Sequence, residues 1–258
     1  MSDIRITLVQ TELYWENPVA NRAMLEEQLS EITTTDLIVL PEMFTTGFTM
    51  EASKVAELMN QDTFKWLKQM SQRFNACILG SYVVKEKNQF YNRLIAFHPD
   101  GKYEVYDKRH LFRMGEEHLT YTAGNDTLIL EVKGWKIAPF ICYDLRFPVW
   151  SRNKNQAYDA AIYIANWPAP RALAWKTLLQ ARAIENLAYV IGVNRIGTDG
   201  KNLPYAGDSR VVQFDGEILL DLGSKGAVET ITLSKNKLEE YRKKFPAYLD
   251  ADTFTIQS

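Results

Sequence analysis

Five apolar runs constrain this chain most: the centre of DLIVLPE (36–42), ACILGSYVV (76–84), KIAPFIC (136–142), AAIYIAN (160–166) and AYVIGVN (188–194). A short apolar run without alternation has no face to offer water, so it reads as a strand covered on both sides. Strands buried on both faces need helices to cover them, and the intervening sequence supplies helical periodicity. Asn17-Pro18 is a good N-cap and N1 pair, and VANRAMLEEQLSEI after it puts Met24, Leu25, Leu29 and Ile32 on one face. TFKWLKQMSQRF and RALAWKTLLQARAIENL read as further helices, and SKNKLEEYRKKF as a charged amphipathic one capped by Ser234. On the long helix, the stripe Leu178, Leu179, Arg182 and Glu185 reads as a packed face. Alternation of this kind predicts an α/β layered fold.

The remaining strands are of a different sort. IRITLVQ opens the chain with β-branched residues, and QFYNRLIAFHPDGKYEVYDK reads as two strands turning at Pro99-Asp100-Gly101. TLILEVKGWKIAPFICYD predicts a hairpin at Lys133-Gly134, and SRVVQFDGEILLDL one at Asp215-Gly216. No low-complexity tract, charge block or repeat divides the chain, so one domain over 1–258 is expected.

Composition excludes several classes. A formal net charge of −2 and a pI near 6.0 offer no broad basic face for nucleic acid. The longest uncharged stretch, AAIYIANWPAP, falls far short of the ~20 residues of a membrane helix and holds two prolines. MSDIRITLVQ carries charges at Asp3 and Arg5, unlike a secretory signal. Two cysteines, Cys77 and Cys142, form no framework, and a reducing, cytoplasmic setting is expected. There is no G-x-G-x-x-G after a strand, no phosphate loop with its lysine, and no G-x-S-x-G elbow. Three histidines and two distant cysteines have no zinc spacing, so neither metal nor cofactor is expected.

Three reactive side chains remain at strand ends. Glu42 ends DLIVLPE, Lys108 ends YEVYDK and Cys142 ends KIAPFIC. Alone, each has a bland reading, since cysteine is commonly buried packing and glutamate and lysine are commonly exposed. In an open α/β sheet, however, sites gather outside the carboxyl ends of strands. Three reactive types at three such ends therefore point to one site.

At these residues the chain resembles the nitrilase superfamily, the carbon–nitrogen hydrolases, and more closely its ω-amidase branch. LPEMF (40–44), KRHLF (108–112) and ICYDLRFP (141–148) carry the resemblance, with ARAIENLAYVIGVNRIG (181–197) and GDSRVVQFDGEIL (207–219) behind them. It runs from about Ile4 to Tyr248. It implies an α-β-β-α sandwich, a homodimer, and a catalytic trio of Glu42, Lys108 and Cys142. A second, supporting glutamate of the family falls on Glu116 or Glu117, and counting back from Gly124 favours Glu117. The loop holding it departs from the common pattern at Arg113, and Val149 stands where many relatives have an acid.

The implied activity is hydrolysis of a small acid amide, of the 2-oxoglutaramate, 2-oxosuccinamate or succinamate type. Carbamoylase or aliphatic amidase activity uses the same residues, and a non-catalytic binding protein could keep the fold. In the hydrolase reading Cys142 attacks the carbonyl, and Glu42 moves protons. Lys108 both favours the thiolate and, with the backbone N–H of Tyr143, stabilises the oxyanion. Phe44 and Trp167 follow strand ends and are candidates for lining a substrate pocket. Asp144 and Arg146 are expected to form an ion pair fixing the turn, and His110 to support Lys108.

Overall fold

The structure, a computed structural model, describes residues 3–256; the four end residues of the expected 1–258 domain lie outside the described residues. The elements in chain order are β1 (Ile4–Gln10), α1 (Pro18–Leu29), β2 (Leu37–Val39), α2 (Ala52–Val55), α3 (Asp62–Phe74), β3 (Cys77–Glu86), β4 (Gln89–Phe97) and β5 (Tyr103–Asp107). Then come α4 (Glu117–Thr120), β6 (Leu130–Val132), β7 (Trp135–Ile141), β8 (Ala160–Ala165), α5 (Ala172–Asn186) and β9 (Tyr189–Asn194). The chain continues through β10 (Ile196–Thr198), β11 (Pro204–Ala206), β12 (Arg210–Val212), β13 (Ile218–Asp221), β14 (Ala227–Leu233) and α6 (Lys235–Lys244).

Two six-stranded sheets form, in the orders β14-β1-β2-β3-β4-β5 and β13-β12-β9-β8-β7-β6. The central strands of each are parallel, β1-β2-β3 in the first and β7-β8-β9 in the second, with antiparallel strands at the edges. Their inner faces pack on each other and helices cover the outer faces, which makes the α-β-β-α sandwich.

Alternation along β2 shows why its run is apolar throughout. Leu37 and Val39 enter the core between the sheets, where they join Ala138 and Phe140 of β7. Ile38 and Leu40 face the other way, against Leu25 and Leu29 of α1 and Leu67 and Met70 of α3. Burying a side chain of this size contributes about 1.5–3 kcal/mol, so neither face tolerates a polar substitution. On the second sheet, α5 seats so close to β9 that a Cβ on Gly192 would come within 2.8 Å of the Trp175 ring. At the N-terminus of α1, Asn17 caps as expected, its side chain accepting from the Ala20 N–H at 3.1 Å.

Differences from expectation are local. The α1 periodicity stops at Leu29, leaving Ile32 beyond the helix as a partly buried packing residue. Ser234 occupies the N-cap of α6 but makes no side-chain capping bond; its carbonyl instead accepts from the Tyr189 hydroxyl at 3.1 Å. β14 was not expected. It is an edge strand paired with β1, mostly part-buried or exposed along its length, and so has no apolar run to announce it.

Candidate active site

Glu42, Lys108, Glu117 and Cys142 come together where the carboxyl ends of β2, β5 and β7 meet. Glu42, Glu117 and Cys142 are delivered by tight turns, and Lys108 by the residue just past a strand. Beyond Glu42 the backbone reverses at Met43 (φ 43°), pinned to β3 by Ser81, whose hydroxyl accepts from Met43 N at 2.8 Å. Lys108 follows β5 directly, its N–H donating to the Asn92 carbonyl and its carbonyl accepting from Gly124 N. Glu117 opens α4 after the left-handed Glu116 (φ 59°). Cys142 itself is left-handed (φ 47°), at the step from β7 into a single 3₁₀ turn. Such backbone costs about 1–3 kcal/mol for a residue with a Cβ and persists only where the surroundings impose it.

What imposes it is Asp144. Fully buried, its carboxylate accepts from Ile141 N (3.0 Å), His110 N (3.0 Å), His110 Nδ1 (2.7 Å) and the Tyr106 hydroxyl (2.7 Å). The expected ion pair with Arg146 does not form, because these four donors saturate the carboxylate. Arg146 turns outward, its guanidinium 5.0 Å from the centre of the Trp167 ring. His110 likewise serves Asp144 rather than Lys108, stacked on Phe147 at 3.8 Å.

The charged cluster is buried. Lys108 Nζ donates to Glu42 Oε1 at 2.8 Å and to both Glu117 oxygens at 3.0 and 2.9 Å, with all three side chains buried. Asn92 Nδ2 donates to Glu42 Oε1 at 2.8 Å, and Asn166 N to Glu42 Oε2 at 2.8 Å. Phe112 N donates to Glu117 Oε2 at 2.6 Å. Burial alone would drive the Lys108 ammonium down, but the two carboxylates outweigh it and hold it well above the ordinary lysine value. Burial raises the Glu117 carboxyl, with Lys108 opposing. Lys108 is therefore a fixed ammonium.

Cys142 reverses one expectation. Its thiol is pushed well above its ordinary value, first by burial and then by the charge of Glu42; Lys108 pulls the other way and loses. Two acidic side chains flank one ammonium, so a thiolate at Cys142 would meet more acid than cation. The resting nucleophile is a thiol.

The cluster opens into a cavity of about 300 Å³. Cys142 and Lys108 reach it from one side, Phe48, Phe112 and Trp167 give it aromatic walls, and Arg146, Arg171 and Lys201 bring positive charge. Its one acid, Asp199, is already occupied by Lys201 N, Leu203 N and the Tyr205 hydroxyl. Trp167 lines the cavity. Phe44 does not: it is fully buried on the opposite face of the first sheet, packed on Trp66 at 5.7 Å and on Gly80. A strand-end position did not reveal which way Met43 would turn the chain. Asn92 and Asn166, which position Glu42, gave no signal as uncharged residues outside the compared motifs. Among the described residues no group of His, Cys, Asp and Glu could hold a metal, and no helix is long and apolar enough to cross a membrane.

A sandwich of this type with a buried Glu–Lys–Glu cluster beside a cysteine defines a class of thiol-bearing α/β proteins. The carbon-nitrogen hydrolase family model matches residues 5–243, and the chain belongs to that family. It is 50% identical over 257 residues to an omega-amidase, YafV, of Escherichia coli strain K12, covering 99% of this chain and 100% of that one. A 2-oxoglutaramate amidase of Bacillus subtilis is 31% identical over 95% of this chain and 96% of its own. The crystal structure of XC1258 from Xanthomonas campestris, a protein of the same superfamily with an arsenic adduct in its active site, superposes with a TM-score of 0.98. It is 46% identical over the full length of both chains.

Proposed function

We propose that the protein is an ω-amidase, a cysteine-dependent hydrolase that releases ammonia from the monoamide of a small dicarboxylic acid such as 2-oxoglutaramate, 2-oxosuccinamate or succinamate. The observation that carries this is the placement of Cys142 and Lys108 on a cavity that Arg146, Arg171 and Lys201 also line, directly beside the buried Glu42–Lys108–Glu117 cluster. The two relatives named as amidases support the substrate class.

The residues divide the work as follows. As Cys142 Sγ attacks the amide carbon, its proton passes to Glu42, so the thiolate never accumulates in the buried site. The carbonyl oxygen takes up negative charge against Lys108 Nζ and the backbone N–H of Tyr143, which precedes the first hydrogen-bonded donor of the 3₁₀ turn. Glu42 hands the proton to the nitrogen, the C–N bond breaks, and ammonia leaves a thioester on Cys142. Glu42 then takes a proton from water, which attacks the thioester; collapse returns the proton to sulfur and frees the acid. Glu117 supports the cycle by fixing the Lys108 ammonium through two oxygens.

The cavity cations are suited to a distal carboxylate; an aliphatic amidase acting on neutral chains would leave them unused. The protein should release ammonia from succinamate, and Cys142→Ala should abolish the release. Arg146→Gln should raise KM for succinamate at least about tenfold, the effect of losing one charged hydrogen bond, with little change for neutral butyramide. No ammonia from succinamate, or activity surviving in C142A, would overturn the proposal. The family resemblance further supports a homodimer, testable by sedimentation, and two free cysteines suit a reducing cytoplasm.

A further inference from the structure

Asn166 is the first residue beyond β8 and lines the cavity with Cys142 and Lys108. Only 4% exposed, it is bound twice to Glu42: its backbone N–H donates to Oε2 at 2.8 Å, and its side-chain Nδ2 donates to the Glu42 carbonyl at 2.5 Å. The second bond fixes the orientation of the amide, because the atom facing a carbonyl oxygen must be the NH₂ group. Oδ1 is therefore the other atom, and it is enclosed without a donor. Enclosed acceptors with nothing to accept are rare in folded proteins and call for a ligand or a functional account.

Resting on the amidase reading, the chemistry of the substrate supplies the missing donor. A primary carboxamide attached at Cys142, with its oxygen toward Lys108, carries an NH₂ group that must turn its lone pair toward the Glu42 carboxyl to be protonated. One N–H then points away from Glu42 and needs an acceptor in the cavity wall, which Asn166 helps to form. We propose that Asn166 Oδ1 accepts this N–H, aligning the nitrogen for protonation by Glu42 and selecting a primary amide over an ester. The bond strengthens as the nitrogen gains a proton, so it favours departure of ammonia as well as binding. No atom is transferred to Asn166.

An ester has no N–H to give, and this separates a contact with substrate from a merely structural role through Glu42. Succinamate and monomethyl succinate share the acyl group, the distal carboxylate and the thioester, and differ only at the leaving group. Asn166→Ala also removes the Nδ2 bond to the Glu42 carbonyl, which serves both substrates, so the quantity to read is the ratio: kcat/KM on succinamate relative to that on monomethyl succinate should fall about tenfold, the worth of one hydrogen bond with partial charge. Retained ester turnover also shows that the variant is folded. Asn166→Ser, which keeps a hydroxyl acceptor, should fall between. An equal fall on both substrates, or no fall on the amide, would overturn the assignment. Wild-type turnover of succinamate is the separate check on the amidase reading itself.

Discussion

Replacing Glu42 by glutamine tests how the nucleophile is made. The substitution removes one of the two carboxyl groups beside Lys108 while keeping the side chain's shape. A unit charge at contact range, at an effective dielectric near 20, is worth about 4 kcal/mol. Spread of the charge over two oxygens and its pairing with Lys108 reduce that to about 3 kcal/mol, about 100-fold in an ionisation equilibrium. The thiol of E42Q should therefore ionise more readily than that of the wild type, although the proposed proton carrier is gone. Below the thiol pKa, alkylation follows the thiolate fraction, which would rise about 100-fold; the lower nucleophilicity of a weaker base, with a Brønsted slope near 0.45, cuts this to about tenfold. Iodoacetamide labelling of Cys142 at pH 7, followed by mass spectrometry of the intact protein, should thus be about ten times faster in E42Q, while hydrolysis of succinamate falls by about 10²–10⁴. Cys77, buried with its thiol far above its ordinary value, is the unlabelled reference. If E42Q is labelled at the wild-type rate or more slowly, Glu42 holds the proton already in the resting enzyme and the thiol description is wrong.

Three other outcomes follow from the packing. A Cβ on Gly124 would collide with the Asp107 carbonyl, next to the Lys108 backbone that Gly124 N anchors, so Gly124→Ala should cost about 1–3 kcal/mol in urea unfolding and displace Lys108, lowering kcat more than it raises KM. Asp144→Asn turns one of the acceptor oxygens facing four donors into an NH₂ group; it should cost about 2–4 kcal/mol, read as a fall in Tm, and slow alkylation of Cys142 as its turn relaxes. Asp36 is raised by burial, but hydrogen bonds from Arg5 and Lys133 overcome this and hold it at about 2. A carboxyl depressed in the folded state stabilises above its unfolded pKa near 4 and loses that contribution as pH falls toward 2. After discounting for the partly exposed Arg5, Asp36→Asn should cost about 1 kcal/mol at pH 7, and the gap from wild type should narrow at pH 3.

Sequence legibility followed burial. The strands covered on both faces were recognisable because burial forbids polar residues on either side, and Glu42 and Cys142 lie just past two of them, whereas Lys108 follows the partly exposed edge strand β5. β14 and the β10–β11 ribbon were invisible to that reasoning, being edge or solvent-side pairs with no apolar run. Glu117 was reachable only through the family's motif, since its loop has two adjacent glutamates and the left-handed backbone of Glu116 decides which one turns inward. Phe44 and the expected Asp144–Arg146 pair failed for a related reason. Proximity in sequence does not say which face of a turn a side chain takes, and four donors from three elements outbid an arginine two residues away. Asn92 and Asn166 lie 50 and 124 positions from Glu42 and carry no charge, so only the folded chain pairs them with it.

Those long separations bear on how the site is built. Glu42, Lys108 and Asn92 belong to the first sheet; Cys142, Asp144 and Asn166 belong to the second. The bonds that orient the proton carrier and the nucleophile turn run across the seam: Asn166 N to Glu42, and the Tyr106 hydroxyl to Asp144. Neither sheet alone holds a thiol beside a carboxylate, and the charges that keep the thiol protonated are buried only once the sheets have packed. An ammonium with two carboxylates is costly to bury unless each oxygen and proton has its partner. Here those partners come from both sheets, so any loosening of the seam exposes the cluster to water and removes Glu42's orientation in the same event. The hydrophobic contacts between the sheets thus act on chemistry as directly as the polar residues do, by deciding whether the sulfur meets a dry carboxylate or a wet one.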